Sequence, residues 1–430
     1  MKHGSVLLPG PLTTRSGEIR DALDRRVMLR GANLSGRHKM PPFLVFEREQ
    51  ELDPWAAMGW NVMRLVIPWE SIEPERGRID RDQLDRLATL ARWAGQRGIH
   101  VIADFHQDLY ARALGGSGAP AWTLLPEDVP TTPPDPDRWW FLKYATSEAV
   151  RRSLARFWTN ADGIQDRFIA CVSALAERLA HEPAVIGLAP WNEPFPGDRD
   201  FDTFEINDVA PLHRKAMAAA REKAPHWLAF VEGTVLASEV GTALDLSDIG
   251  GVVYNPHFYD KIAMTTQSWS GDLGEMNKAF KAFVRDAERM GTPWMLGEYG
   301  CARDTSGEVE LLKAHQNALL AHGIGGTVWN YDPSALDWND ERMGLDEASL
   351  AVLAHPYPTA IHGQFRAASL DGVFTLDWMS DGVAQPTDVA LPDLWKDAAI
   401  ESSAPYTLAE RRIRMSAPAG PASLRLTPAV

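Results

Sequence analysis

The 430-residue sequence is poor in the features that stabilise small secreted domains or anchor proteins in membranes. Its only cysteines, Cys171 and Cys301, cannot form a disulfide framework and lack the spacing of a zinc site. No run approaches the ~20 apolar residues that a membrane-spanning helix needs. Basic residues are outnumbered, 43 against 58 acidic ones, for a net charge of −15. This charge argues against a nucleic-acid partner, because phosphate binding needs concentrated Lys and Arg.

The N-terminus and the tryptophan content bear on location and ligand. The apolar stretch within MKHGSVLLPGPLTTRSGE is short, and Pro9 and Pro11 interrupt it, so it does not match a signal peptide. We therefore expect a cytoplasmic protein, or a secreted one if a leader has been removed. The 16 tryptophans are weak evidence for a sugar ligand. An indole ring offers a flat face for stacking, although many tryptophans serve only as packing.

Eight short runs with apolar centres predict eight β-strands. Their central residues are apolar consecutively rather than alternately, which is typical of parallel strands buried on both faces. The predicted strands are 27–35, 61–69, 100–106, 185–193, 227–232, 252–259, 294–299 and 325–331. Amphipathic segments that predict helices lie near 82–97, 163–181, 203–223, 273–290 and 307–322.

This alternation predicts an α/β fold, a (β/α)8 TIM barrel over residues 1–355. The main alternative is an open doubly wound sheet, but the Gly-rich phosphate turn expected after its first strand is missing. Residues 356–430 lack a helical repeat and contain short alternating runs such as 373–378. They predict a small antiparallel, sandwich-like β domain.

A long connection over residues 109–162 follows the third predicted strand. It is rich in Gly, Pro and aromatic residues, including Trp122, Trp139, Trp140 and Phe141. Connections of this length in compact proteins are usually functional, and those after barrel strands lie at the catalytic face. We therefore expect this loop to carry aromatic side chains to the site. The alternative is an insertion whose aromatic residues only anchor it.

Polar side chains recur where the predicted strands end, which is the face at which barrels build their active sites. These residues are Asn33, Arg64, Asp104, His106, Asn192, Glu193, Glu232, His257, Tyr259, Glu298 and Trp329. Two of them predict a catalytic pair: Glu193 ends strand four and Glu298 ends strand seven, so they can converge across the barrel mouth. Retaining glycoside hydrolysis requires two such carboxyl groups ~5–5.5 Å apart. A lone glutamate at a strand end would more often form a structural ion pair.

The order of these residues resembles family 5 of the glycoside hydrolases. The matching positions are Arg64 on strand two, His106 ending strand three, Asn192-Glu193-Pro194, His257-Phe258-Tyr259, Glu298 and the Trp329 of strand eight. The resemblance implies a TIM barrel in which Glu193 is the general acid/base and Glu298 the nucleophile. It also implies that no cofactor is used, and the sequence has no His-Glu-x-x-His motif that would indicate a metal.

The remaining roles follow from this assignment. Arg64 and Tyr259 are expected to donate hydrogen bonds to Glu298 and favour its ionised form. Asn192 is expected to bind the 2-hydroxyl of the sugar. His106 and His257 would hold hydroxyl groups or orient the carboxylates, and Trp329 would stack on the sugar.

The segment Asp104–Tyr110 (DFHQDLY), followed by Gly118–Trp122 (GAPAW), resembles the endoglycoceramidase-related branch of the family. This adds Asp108 and Trp122 to the expected substrate-binding residues. It implies hydrolysis of a β-glucosidic bond in a glycolipid, with possible peripheral membrane contact through the lipid. A lipid would need an apolar cleft, which the loop 109–162 or Leu336 and Trp338 could provide.

Two other functions remain open. The first is an endo-β-glucanase or a β-glucosidase for small glycosides, with the same two-glutamate mechanism and an open cleft. The second is a non-catalytic sugar- or lipid-binding protein. Retention of both Glu193 and Glu298 argues against the second.

Overall fold

The computed structural model describes residues 6–43, 46–132, 139–303, 305–331, 346–409 and 411–429. Its central feature is a parallel sheet that curls into a barrel. The barrel strands are β1 (Arg30–Leu34), β2 (Val62–Pro68), β3 (His100–His106), β4 (Val185–Ala189), β5 (Leu228–Val231), β6 (Val252–Tyr254, resumed at His257–Phe258), β7 (Glu298–Tyr299) and β8 (Gly326–Val328). Every residue of β2 and β3 is buried, as their continuous apolar runs predict.

The sheet order places the eight strands in a ring. Seven strands hydrogen-bond in the order β8-β1-β2-β3-β4-β5-β6. The segment that ends in β7 joins the two edges through parallel bridges, Tyr254 to Trp294 and Leu296 to Gly326. The predicted TIM barrel is confirmed. Strands four and seven therefore end at the same face of the barrel.

Close packing between strands explains one glycine of the barrel. A Cβ atom at Gly31 in β1 would lie 1.7 Å from the carbonyl oxygen of Val62 in β2. This position therefore accepts only glycine without a shift of the backbone.

Helices surround the barrel and form most of its outer layer. They are α1 (Asp53–Ala57), α2 (Trp69–Ile72), α3 (Arg81–Gly95), α4 (Lys143–Thr146), α5 (Glu148–Trp158), α6 (Ile164–Leu179), α7 (Phe201–Phe204), α8 (Ala210–Arg221), α9 (Ala237–Val240), α10 (Lys261–Thr266), α11 (Gly274–Met290), α12 (Glu308–His322) and α13 (Glu347–Leu353). A π-helix, Glu205–Val209, joins α7 to α8. In α3, Leu84, Leu87 and Ala91 form the buried face, and the Asp80 carboxylate caps the first turn.

Two helices, α4 and α5, lie inside the segment 109–162 that we predicted as a loop. In α5, Val150, Leu154 and Phe157 recur at helical spacing and are buried, and the Ser147 hydroxyl accepts from the backbone N–H of Val150. This connection is therefore an irregular stretch followed by an amphipathic helix, because the apolar period outweighs the Gly- and Pro-rich composition that precedes it.

The C-terminal residues form antiparallel strands, as predicted. These are β9 (Tyr357–Ile361), β10 (Gly363–Asp371), β11 (Val373–Ser380), β12 (Thr387–Ala390), β13 (Ala399–Ser402), β14 (Tyr406–Ala409), β15 (Arg412–Met415) and β16 (Gly420–Thr427). One sheet has the order β10-β11-β16-β13, and the other contains β9, β12, β15 and β14. Buried Phe374, Leu376 and Trp378 of β11 pack in the core of this region.

The second sheet also contains three strands from the N-terminal part of the chain, Thr13–Arg15, Glu18–Arg20 and Arg26–Val27. The pair Arg26–Val27 hydrogen-bonds to β9. The predicted strand 27–35 is thus divided between this sheet and β1. A buried ion pair supports the junction: Arg25 lies 2.7 Å from Asp21 and 2.8 Å from Asp388. Among the described residues, no helix is long and apolar enough to cross a membrane.

Candidate active site

Glu193 and Glu298 meet at the mouth of the barrel. Glu298 begins β7, and Glu193 follows β4 in a turn where its φ is +43°, a value uncommon for residues other than glycine. The Gln107 side chain holds this turn, since its amide donates to the carbonyl oxygens of Asn192 at 2.9 Å and Glu193 at 3.0 Å. The backbone of β3 and the β4 turn are also joined by a bond from Asn192 N–H to Phe105.

His257 lies between the two carboxyl groups. Its Nδ1 atom is 2.9 Å from Glu193 Oε1 and 3.5 Å from Glu298 Oε2. A carboxylate oxygen of Glu193 and one of Glu298 lie within 4.8 Å of each other. The structure therefore brings together the pair that the sequence predicts.

Arg64 forms the polar centre of the site and its side chain is fully buried. One guanidinium nitrogen donates to Glu298 Oε1 at 2.7 Å, and the other donates to Asp104 at 3.0 Å and Asn192 at 2.8 Å. Burial opposes the charge of Arg64, but the carboxylates of Asp104 and Glu298 outweigh it and raise the pKa of the guanidinium. Arg64 is therefore a permanent cation in direct contact with Glu298.

Tyr259 supplies the second hydrogen bond to Glu298. Its hydroxyl donates to Oε2 at 2.8 Å, on the oxygen that Arg64 does not contact. Burial and the nearby Glu298 carboxylate raise the pKa of the Tyr259 hydroxyl well above its usual value. The hydroxyl therefore remains a donor, as predicted for the support of an ionised nucleophile.

Glu193 has a different environment. Burial, followed by the repulsion of the Asp108 carboxylate, raises the pKa of Glu193 to about 7. Its side chain keeps 18% exposure, which leaves it accessible from the cleft. The two glutamates thus have the properties of an acid and of a carboxylate with two donors, the division of roles that two-carboxyl catalysis needs.

His106, Asp108 and Trp329 form one wall of the site. The His106 ring stacks on Trp329 with centroids 5.2 Å apart and 18° between planes, and Lys39 Nζ lies 4.5 Å from the Trp329 ring. Lys39 also pairs with Asp108 at 2.8 Å. His106 contacts Asp104 at 2.8 Å and Asp108 at 3.3 Å. These contacts place two stacked rings and charged hydrogen-bonding groups beside the carboxyl pair, and the Trp329 ring itself is buried, with 5% exposure.

Trp122 is placed apart from this group. Its ring packs edge-on against Trp69 at 5.4 Å, its indole N–H donates to the carbonyl of Glu73, and Arg76 lies over its face. These contacts are on the segment after β2 rather than with Glu193 or Glu298. Its expected role in substrate binding remains a prediction.

Three further residues belong to the site by geometry. Lys39 follows β1 by five residues, so an inspection of strand ends does not find it. Gln107 is adjacent to His106, and the sequence analysis predicts no role for its side chain. Glu232 follows β5 and lies 3.6 Å from Arg64 and 3.3 Å from His257 Nε2. Its position at a strand end was a signal, but only the structure shows its contacts.

A closed (β/α)8 barrel with two glutamates converging from β4 and β7 has the site architecture of a glycoside hydrolase. The model of the cellulase family, glycosyl hydrolase family 5, matches residues 24–335. The chain belongs to this family. It is an enzyme of the glycoside hydrolase class.

Similar proteins share both sequence and architecture. Endoglycoceramidase I of Rhodococcus hoagii is 27% identical over 417 residues, which cover 89% of this chain and 81% of the relative. A glucosylceramidase of Rhizopus delemar is 29% identical over 249 residues, 44% of this chain and 36% of its own. A solved structure of endo-glycoceramidase II from Rhodococcus sp., in a cellobiose-like imidazole complex, has 25% identity and a TM-score of 0.79, and the match covers 96% of this chain and 99% of that one. The likeness therefore extends over barrel and C-terminal sheets together.

Proposed function

We propose that the protein is a retaining β-glycosidase that cleaves the β-glucosidic bond of a glycolipid, with Glu193 as general acid/base and Glu298 as nucleophile. The observation that carries this proposal is the approach of the two carboxyl groups within 4.8 Å. Retaining enzymes place them ~5–5.5 Å apart, whereas inverting enzymes leave ~6.5–9.5 Å for a water molecule.

In the first step, the Glu193 carboxylic acid gives its proton to the glycosidic oxygen while a Glu298 oxygen attacks the anomeric carbon. The bond to the leaving group breaks, its electron pair goes to the protonated oxygen, and a glycosyl ester forms on Glu298. Arg64 and Tyr259 hold the attacking carboxylate through one oxygen each. In the second step, ionised Glu193 takes a proton from water, the water oxygen attacks the anomeric carbon, and Glu298 leaves as a carboxylate.

The raised pKa of Glu193 predicts the pH dependence. Because the first step needs protonated Glu193, kcat/KM should fall tenfold per pH unit above the pKa of about 7. The measurement is kcat/KM against pH for a glycoside with a weakly acidic alcohol as leaving group. A rate that stays level well above pH 7 would contradict the acid role of Glu193.

Support for a glycolipid substrate comes from the relatives and from the surface beside the site. A relative aligned over 89% of this chain and a solved structure matched over 96% of it carry the names endoglycoceramidase and endo-glycoceramidase. The insertion after β3 exposes Trp139 (45%), Phe141 (41%) and Leu142 (48%). The patch ends two residues before Tyr144, whose hydroxyl accepts a hydrogen bond from Gln107 Nε2 of the site at 3.2 Å. Exposed aromatic and aliphatic side chains suit the interface of a lipid aggregate. Leu336 and Trp338, the other expected cleft residues, lie outside the described residues.

The exposed patch leads to a prediction on membrane contact. Replacing Trp139, Phe141 and Leu142 together with serine should weaken binding to vesicles that contain glucosylceramide, and should lower the hydrolysis of that lipid, because apolar area is lost from the interface. Hydrolysis of a water-soluble aryl β-glucoside should be unchanged. Vesicle sedimentation and the two rates provide the measurements.

A matched control is available in the connections between the C-terminal strands, where Val383 and Leu394 are 66% and 65% exposed. Serine at these two positions should leave both vesicle binding and lipid hydrolysis intact. If the control variant lost as much vesicle binding as the patch variant, or the patch variant lost none, the patch would have no special role.

The substrate itself is tested by a panel of glucosylceramide, gangliosides, aryl β-glucosides and cellooligosaccharides, with identification of the products. The proposal predicts the highest kcat/KM on a ceramide-linked sugar. A preference for cellooligosaccharides would replace it with an endo-β-glucanase, and activity only on small glycosides would indicate a β-glucosidase. The anomer released first should be β, which ¹H NMR of the early reaction detects.

A further inference from the structure

A third carboxyl group, that of Glu232, lies behind His257. One oxygen, Oε2, is 3.3 Å from His257 Nε2, and the other, Oε1, is 3.6 Å from the Arg64 guanidinium. On the opposite side of the imidazole, Nδ1 is 2.9 Å from Glu193 Oε1. His257 therefore links Glu232 to the acid/base glutamate through its two ring nitrogens. His257 Nε2 is buried and, among the described residues, forms no hydrogen bond in this structure, although Glu232 Oε2 lies 3.3 Å away.

The charges at this end of the barrel are not balanced. Among the described residues, the carboxyl groups joined by close contacts here are Asp104, Asp108, Glu193, Glu232 and Glu298, and the basic groups are Lys39, Arg64 and His106. Burial opposes the charge on His106, but the Asp108 and Asp104 carboxylates raise its pKa to about 9. The three basic groups are then cations at neutral pH and balance three carboxylates. Two of these five carboxyl groups then have no balancing cation within the part of the chain that the structure describes, and buried groups of this kind take up protons.

The distances between carboxylate oxygens and basic nitrogens show which two carboxyl groups these are. The close ion pairs, at 2.7 to 3.0 Å, are Arg64 with Glu298, Arg64 with Asp104, and Lys39 with Asp108. Glu193 and Glu232 have no cation this close among the described residues. Burial also raises the pKa of Glu232 well above its usual value, in agreement with this assignment.

The hydrogen bonds allow one arrangement that serves catalysis. Burial lowers the pKa of His257 to about 4, so the ring is neutral and carries one N–H. If Nδ1 carries the hydrogen, Nδ1–H donates to Glu193. Nε2 then accepts a hydrogen bond from the carboxylic acid of Glu232. If Nε2 carried it, Nδ1 would accept the acidic proton of Glu193, which would then point away from the substrate.

We propose that Glu232 is a neutral carboxylic acid that donates a hydrogen bond to His257 Nε2 and so keeps His257 Nδ1–H directed at Glu193. Glu232 is a positioning residue: it acts through His257 and does not contact the substrate. This inference rests on the proposed acid/base role of Glu193. During turnover, His257 Nδ1–H donates to Oε1 of Glu193 whether Glu193 is protonated or ionised. This bond leaves the catalytic proton on Oε2, and it stabilises the Glu193 carboxylate after that proton has left.

Two substitutions separate this role from a purely structural one. In Glu232→Gln, the amide oxygen can face Arg64 and the amide N–H can donate to Nε2, as the two oxygens of the neutral acid do. This variant should keep kcat within about threefold of the wild type, with the same pH profile. Glu232→Met has similar length but no donor. Its kcat should fall about tenfold or more with little change in KM, because the hydrogen bond to His257 Nε2 is lost.

A direct readout does not depend on turnover. In protein labelled with ¹⁵N-histidine, the ¹⁵N shifts of His257 should show the Nδ1–H tautomer in the wild type and in Glu232→Gln, and a mixture in Glu232→Met. Infrared difference spectra between the wild type and Glu232→Gln should contain a carboxylic-acid C=O band above the pKa of Glu193. Thermal unfolding checks that each variant is folded.

The proposal is overturned if wild-type His257 is the Nε2–H tautomer, if the carboxylic-acid band is absent, or if Glu232→Gln is as impaired as Glu232→Met. The wild-type spectra decide the matter even if Glu232→Met does not fold. Failure of the acid/base assignment looks different: Glu193→Gln would then turn over normally whatever the tautomer of His257. If only the proposed role of Glu232 were wrong, turnover would still depend on Glu193.

Discussion

Glycine in place of Glu298 should reduce turnover by on the order of 10⁴-fold or more, the scale on which enzymes respond to the loss of a nucleophile. The reason lies in the contacts of this carboxylate. Arg64 and Tyr259 each donate to one of its oxygens, and among the described residues no other carboxyl group of the site is held by this pair of donors. Ground-state binding should be largely retained, because the stacking face of Trp329 and the hydrogen-bonding groups beside it are untouched.

The same variant provides a positive test. Removing the side chain leaves space where a small anion can lie beside Arg64, so azide or formate should restore part of the turnover on an aryl glycoside with a good leaving group. The azide product should be a glycosyl azide of α configuration, opposite to the substrate. Full activity of Glu298→Gly without added anion would remove Glu298 from the mechanism.

A matched control separates this effect from simple loss of a buried carboxylate. Glu73 is fully buried and pairs with Arg167 at 2.6 Å, on the outer side of the barrel wall. Glu73→Gln should lower the free energy of unfolding, since one partner of a buried ion pair is removed, but kcat of the folded enzyme should stay near that of the wild type. A similar loss of kcat in both variants would indicate a general structural defect.

Much of the barrel could be predicted from the sequence because its strands are buried on both faces. The continuous apolar runs of β2 and β3 coincide with the observed strands within a residue or so. The carboxyl pair followed from topology together with the family resemblance: strands four and seven end at the same face of the ring, and the surrounding motif singles out Glu193 and Glu298 among the polar strand ends. The structure brings them within 4.8 Å.

The parts that the sequence did not reveal depend on contacts between distant segments. The strands at 13–27 are two or three residues long and have no apolar alternation, so their pairing with the C-terminal sheet leaves no periodic signal. Lys39 reaches Asp108 from a segment after β1, where nothing local indicates a partner 69 residues away. The neutral state inferred for Glu232 is likewise a property of the summed charges around it, which no motif records.

Alanine in place of Glu193 should lower kcat/KM by about 10² to 10⁴-fold on a substrate whose leaving group is an alkyl alcohol, such as a ceramide, because that oxygen leaves only with a proton. On an aryl glycoside with a strongly acidic phenol, the first step needs little help. The glycosyl-enzyme should then accumulate, since no base activates water, and the assay should show a burst of phenol, a low kcat and a low KM.

The pH profile gives this variant a second signature. In the wild type, kcat/KM should fall above the pKa of Glu193 at about 7. In Glu193→Ala this fall should disappear, because no acid remains to titrate there. Azide should accelerate turnover of the aryl glycoside by attacking the glycosyl-enzyme, and the product should be the β-glycosyl azide. The α anomer follows from loss of Glu298 and the β anomer from loss of Glu193, so the two products together assign nucleophile and acid/base to their residues. Exchanged or identical anomers would contradict that assignment.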